Sequence, residues 1–305
     1  MSGRPERARG LPEVAAGAQA RDISSETAAC DLTLRMLLRH LGGWAERLVL
    51  IGGLTPRFLV PEPPDGIDPH VGTTDVDLVL TMAIAGEQDV PDEPLADRLR
   101  ALGFEPEAEP GDLGGPAFRW VQRVNGFRVK VEFMCPANDR PGGQIEPDPV
   151  PNTGAALGAL RLPGAELVTR DYEVRRLTGR ALEDGDVEVN LRVCGLLPFL
   201  VLKAFALDER DKDKDAYDLV WVLSAFGDGP GDAARIALGS PVARESVVKK
   251  AIARLREHFS TRESRGSELY AQMFPGQPVV ERRALQRHAH KTVSEFLKIW
   301  DTGAV

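Results

Sequence analysis

The segment Gly72-Thr73-Thr74-Asp75-Val76-Asp77-Leu78-Val79-Leu80 constrains this chain more than any other. Side chains alternate along a strand, so Asp75 and Asp77 share one face while Val76, Leu78 and Leu80 share the other. The pattern predicts a strand over 75–82, apolar on one side and doubly acidic on the other. Packing alone gives no reason to set two like charges side by side, because each raises the cost of ionising its neighbour. A divalent cation removes that cost: hard ions such as Mg²⁺ take oxygen ligands, commonly one or two carboxylates together with substrate phosphates. The competing reading is an edge strand with one solvated acidic face.

At 305 residues, with 43% hydrophobic and 28% charged residues, the chain has the size and composition of one large or two smaller globular domains. No apolar run approaches the roughly 18 residues that cross a bilayer, which predicts no membrane partner. The three widely spaced cysteines, Cys30, Cys135 and Cys194, suit reduced thiols in cytoplasm better than a disulfide framework or a zinc site. Five histidines (His40, His70, His258, His288, His290) show no ligand spacing of their own, and His288 and His290 fall on different faces of an expected helix. The net charge of −8 argues against indiscriminate coating of nucleic acid. The charge is uneven, however: residues 231–305 hold 13 Lys/Arg against 8 Asp/Glu. That basic end suits a phosphate-rich polymer, or it is a set of solvated helix faces.

The Arg- and Gly-rich residues 1–24 read as a disordered tail. Helical spacing runs from Thr27 to Leu41, and the short apolar strand 47–51 closes on Gly52-Gly53. A Pro- and Gly-rich loop is expected over 61–72, and a helix over 94–103 with a glycine cap. Strands 117–124 and 127–134 flank Asn125-Gly126, a strong hairpin signal. Residues 136–166 read as loop with one short helical piece, and strands near 171–181 and 187–194 surround a turn at 183–186. From Leu196 the pattern turns helical, over 196–208, 213–226, 241–259, 261–273 and 281–299. The expected fold class is therefore α/β (α+β): a mixed-sheet domain over 25–195 and an α-helical domain over 196–305.

A third carboxylate matters. In Arg128–Met134, alternation puts Lys130 and Glu132 opposite Val129, Val131 and Phe133. If that strand lies beside Asp75 and Asp77 with its polar face turned the same way, three carboxylates converge. Such a triad can hold two metal ions for phosphoryl transfer. The alternative is a Lys130–Glu132 surface. Gly52-Gly53 at a strand end offers backbone N–H groups unobstructed by side chains, suited to a triphosphate. Lys203 is the only charged residue between Leu196 and Leu207, so it must reach an acid, a phosphate or solvent. Asp215 and Asp218 share one helix face, although acids are plentiful nearby.

Together these segments resemble the nucleotidyltransferase superfamily with the DNA-polymerase-β-like fold: a glycine pair, an acidic-x-acidic strand, then a third acid on a later strand. More narrowly they resemble the abortive-infection AbiEii-type nucleotidyltransferases, known chiefly as toxins of toxin–antitoxin systems. The finer likeness lies in Ile51-Gly52-Gly53 with Gly72–Leu78, and in Leu200–Leu207 followed by Arg210, Lys214-Asp215 and Asp218-Leu219. The resemblance implies a Mg²⁺-dependent enzyme, two ions expected, that moves a nucleoside monophosphate from an NTP to a hydroxyl of RNA (tRNA-like) or protein. It also implies an antitoxin protein as partner. Asp75, Asp77 and Glu132 would bind metal and, with Lys203 and Asp215, carry catalysis. Gly52, Gly53, Thr74, Lys203, Arg210 and Asp218 would bind the nucleotide. Two departures stand out: Leu54 and Thr55 follow the glycine pair where many members have Ser, and the stretch from Gly53 to Asp75 is long and Pro-rich. They motivate one rival, a non-catalytic nucleotide- or partner-binding protein of this fold; the acidic region ahead of residue 231 motivates a second, an enzyme modifying a small aminoglycoside-like cation.

Overall fold

The computed structural model describes residues 23–81, 91–107, 115–138, 140–147, 149–181, 185–209 and 212–303; of the expected tail over 1–24, residues 1–22 lie outside them and 23–24 belong to the first helix, and the expected strand end at Met82 and turn residues 183–184 also lie outside. Asn125 and Gly126 both take positive φ (51° and 85°), the backbone of a two-residue turn whose twist matches paired strands. That turn folds β4 (Arg119–Val124) onto β5 (Phe127–Pro136). β2 (Asp75–Leu80) runs parallel to β5, and β1 (Leu48–Ile51) pairs antiparallel with β2 on its other side. The hairpin of β8 (Tyr172–Ala181) and β9 (Gly185–Cys194) joins through a parallel β1–β9 contact. The short β3 (Glu105–Pro106) completes the order β3-β4-β5-β2-β1-β9-β8, with β6 (Ile145–Glu146) and β7 (Ala159–Leu162) branching from β5. The sheet is mixed, as expected.

Because side chains alternate, each face of this sheet has its own core. One face offers Leu50, Val76, Leu78, Val131, Phe133 and Val193 to α1 (Ile23–His40) and α3 (Leu95–Ala101). The other offers Val49, Ile51, Val79, Met134 and Cys194 to the helical layer. That layer comprises α4 (Leu196–Glu209), α5 (Asp213–Ala225), α6 (Pro230–Leu238), α7 (Ser246–His258), α8 (Arg265–Gln272) and α9 (Val279–Gly303). Asp77 and Glu132 share the second face with Val79 and Met134, so the acidic side of the sheet looks toward the helices. The short helix α2 (Pro56–Leu59) follows the glycine turn.

Three expectations need correction. Within 136–166 lies a real strand, β7, parallel to β5 through Met134↔Leu160 and Cys135↔Arg161. Its four residues are only partly apolar, and the surrounding Pro and Gly mask them. The helix α6 was not expected, because it starts on Gly229-Pro230-Gly231; proline is well tolerated at a first helical turn. The helix expected from 241 begins only at Ser246.

The Pro-rich loop is held firmly. Thr27 on α1 accepts from the Thr73 N–H at 3.0 Å and donates to the Thr73 carbonyl at 3.1 Å. On α5, Trp221 donates to the Asp68 carbonyl at 2.9 Å and the Tyr217 hydroxyl accepts from the Val71 N–H at 3.3 Å. Cys30, Cys135 and Cys194 are free and buried, and no helix among the described residues is long and apolar enough to cross a membrane. Thr27→Val keeps the shape but strands the buried Thr73 N–H and leaves its carbonyl only the weak Cys30 thiol donor. Denaturant unfolding is expected to register a loss of about 1–3 kcal/mol; an unchanged midpoint would show that this clasp does not anchor β2.

Candidate functional site

Three strands set the site by register alone. Ile51, the last residue of β1, is paired with Asp77, and Asp77 is paired on its other side with Glu132. The chain then turns at Gly52–Leu54 directly against the Asp77 carboxylate. Gly52 has φ +72°, and a Cβ there would overlap that carboxylate, so both backbone and space require glycine. A Cβ on Gly53 would come 2.8 Å from Thr73 Oγ1 and 3.0 Å from Lys214 Nζ. The glycine pair therefore lets β1 pass closely between the start of β2 and the start of α5.

Above this turn lies a buried charge cluster. Lys203 on α4, only 5% exposed, donates to Asp215 at 2.8 Å and Asp218 at 2.7 Å, both on α5. Asp218, fully buried, also accepts from Lys214 at 2.8 Å and pairs with His70 Nε2 at 2.9 Å. Since the Gly72 N–H donates to His70 Nδ1 at 3.0 Å, the imidazole proton sits on Nε2 and is given to Asp218. Burial lowers the His70 pKa, with Lys214 and Lys203 adding to the effect against the pull of Asp218, which favours this neutral form. Burial alone would raise the Asp218 carboxyl, but Lys203, Lys214 and His70 hold it well below the usual range. Burial alone would lower the Lys203 ammonium, but Asp215 and Asp218 keep it above its ordinary value. The lysine is thus a fixed cation, and the sequence choice between acid, phosphate and solvent resolves to acid.

Gly52, Asp77, Glu132 and Lys203 line one cavity of about 260 Å³, together with Arg119, Lys212 and apolar walls from Phe118, Leu160, Phe199 and Phe205. Among the expected residues, this cavity unites those four. Asp75 stands two residues back on the same face, opposite Lys130 in register, with Lys130 Nζ 3.4 Å from its Oδ1. Gly53, Asp215 and Asp218 are off its wall: Gly53 lies against Thr73 and Lys214, and the two aspartates hold Lys203 in place. Thr74 is half-buried and off the wall; its neighbour Thr73 is the threonine that meets the glycine turn. Arg210 lies outside the described residues.

The donor set fits a divalent cation at the aspartates better than at Glu132. Asp75 Oδ1 is buried without a hydrogen bond; the Lys130 ammonium is near enough for attraction but not placed for bonding. Glu132 is already engaged by Arg119 Nε at 2.5 Å. Among the described residues, no three His, Cys, Asp or Glu side chains form a cluster that could hold a metal ion. Sequence reasoning missed His70, Arg119 and Lys212. His70 finds its partner 148 residues away, which no local pattern signals. Arg119 was legible in principle, since the Asn125-Gly126 hairpin fixes it opposite Glu132.

No protein-family model matches the chain, and no curated protein matches it.

Lys203→Met leaves two buried carboxylates short of their cation and is expected to lower stability by about 3–5 kcal/mol in denaturant unfolding. A smaller loss than about 1 kcal/mol would mean the cluster is wetter than it looks. The pH dependence follows from the lowered Asp218 pKa. Its contribution is complete above the unfolded value of about 3.9 and drains away as pH falls through the lower folded value. The stability gap between the protein and Asp218→Asn should therefore stay flat from pH 5 to 7 and narrow in stronger acid, followed by unfolding at each pH.

Proposed function

We propose that the chain is a Mg²⁺-dependent nucleotidyltransferase of the AbiEii kind, moving a nucleoside monophosphate from an NTP to an acceptor hydroxyl. The observation that carries this reading is the convergence of Gly52, Asp77, Glu132 and Lys203, from four separate elements, on one cavity. Asp75 and Asp77 are the metal-binding pair, and bound Mg²⁺ would supply charge neutralisation at the reacting phosphate. Gly52 lets phosphate approach the backbone closely. Lys203, fixed in its charged state, faces the phosphates with its charge already oriented, electrostatic help of the kind that dominates such reactions. In the transfer the acceptor oxygen bonds to the α-phosphorus, the bond from that phosphorus to the pyrophosphate oxygen breaks, and the acceptor proton leaves to a cavity carboxylate. Glu132 can serve as base or as metal ligand only after Arg119 lets go of it.

An RNA acceptor is favoured by the basic balance of residues 231–305. A toxin role with an antitoxin partner is supported by the motif resemblance. A second reading, a non-catalytic nucleotide-binding protein of this fold, is favoured by the cations already beside two carboxylates, Lys130 at Asp75 and Arg119 at Glu132.

Incorporation of labelled NTP into tRNA, total RNA or protein, with Mg²⁺ present, tests the proposal. Asp75→Ala and Asp77→Ala are each expected to cut the rate by about 10²-fold or more, the scale of a lost electrostatic group. Activity surviving both changes rejects the assignment. Tight nucleotide binding without turnover on any acceptor supports the second reading.

A further inference from the structure

We propose that Arg119 is a transferable counter-ion: it neutralises Glu132 while the cavity is empty of nucleotide, and passes to the nucleotide's phosphates on binding, releasing Glu132. This rests on the nucleotidyltransferase reading above and adds a positioning residue that the motif resemblance does not contain.

Arg119 and Glu132 are Cα partners across the β4–β5 hairpin, and Glu132 is in turn the Cα partner of Asp77. Two carboxylates in adjacent positions on one sheet face repel unless a cation stands between or beside them. Arg119 meets that need at Glu132 with its Nε at 2.5 Å, while the rest of the guanidinium has other partners. One of these is Glu107, whose Oε2 lies 3.4 Å from Arg119 Nη1 and which also pairs with Arg128. The guanidinium lies 4.9 Å from the centroid of the Phe118 ring, a flat support across which it can turn without leaving the cavity wall.

The Arg119 side chain is 25% exposed and that of Glu132 is 13% exposed, so the pair is only partly shielded from water and is correspondingly weak. A triphosphate entering a cavity lined by Arg119, Lys203 and Lys212 offers several anionic oxygens. Guanidinium can grip one phosphate through two parallel N–H bonds, which gives the incoming group a geometric advantage. Lys203 cannot make such a move, because it is only 5% exposed and bonds to both Asp215 and Asp218 in the interior. Arg119 is thus the adjustable cation of the cavity and Lys203 the fixed one. The device also keeps Glu132 from binding stray divalent ions before nucleotide arrives.

The test measures binding and needs no turnover. Mn²⁺, read by its paramagnetic resonance, is titrated into the full-length protein, Arg119→Gln and Arg119→Lys without nucleotide. A non-hydrolysable NTP analogue is then titrated into each. With its competitor gone, Arg119→Gln should bind Mn²⁺ more tightly, on the order of tenfold for about 1.4 kcal/mol, and the analogue more weakly by a similar factor. Arg119→Lys, which keeps the charge but loses the fork, should fall between on both measures and covers the case of a misfolded glutamine variant. In a Glu132→Gln background, changing Arg119 should no longer alter Mn²⁺ affinity. Unchanged Mn²⁺ affinity in both folded Arg119 variants, or a gain that persists without Glu132, overturns the proposal. Mn²⁺ binding that ignores Asp77→Asn removes the parent reading, and this one with it.

Discussion

Lys203 bridging Asp215 and Asp218 is the interaction on which the remaining architecture turns. A lysine in the apolar helix α4 has to be met, and α5 meets it with two carboxylates one helical turn apart. Asp218 then recruits Lys214 from its own helix and His70 from the long loop. Through His70 and the Gly72 N–H the loop is drawn down onto α5, and Thr73 is delivered to Thr27 on α1 and to the glycine turn. One buried cation thus ties the helical layer, the loop and the entry to β2 into a single arrangement. Buried ion pairs seldom add net stability over well-packed apolar groups, so a specifying role explains this cluster better than a stabilising one.

The sheet dictates the other half of the site. Parallel pairing of β2 with β5 sets Asp77 beside Glu132, and antiparallel pairing of β1 with β2 sets Gly52 against Asp77. Alternation then turns those groups toward the helices, because the opposite residues, Val76, Leu78, Val131 and Phe133, are needed in the core beneath α1. Acidic strand face, glycine turn and buried lysine come together with left-handed backbone at Gly52 and, at the entry to β2, at Gly72. The cavity they enclose holds carboxylates and cations in close company: Glu132 has Arg119 of β4 beside it, and Asp75, two residues from Asp77, has Lys130 of β5. A ligand entering here exchanges partners rather than filling an empty electrostatic hole.

Much of this was legible in the amino-acid order. Alternation showed the faces of β2 and β5, Asn125-Gly126 showed the hairpin, and the lone charge in 196–207 showed that Lys203 needed a partner. What stayed hidden was long-range or locally disguised. That β2 would lie next to β5 in the register Asp77↔Glu132 is a matter of topology, which alternation does not specify. β7 and α6 are short and set among Pro and Gly, so local propensity spoke against them. His70 sits in a loop whose sequence says only that it turns, and its role arises from Asp218 far along the chain.

We propose that this cavity receives a metal-bound nucleoside triphosphate. A crystal structure with Mg²⁺ and a non-hydrolysable NTP is the sharpest measurement: the metal is expected on Asp75 and Asp77, and the phosphates against Gly52 and Lys203. Nucleotide bound elsewhere, with those aspartates untouched, would rule this out.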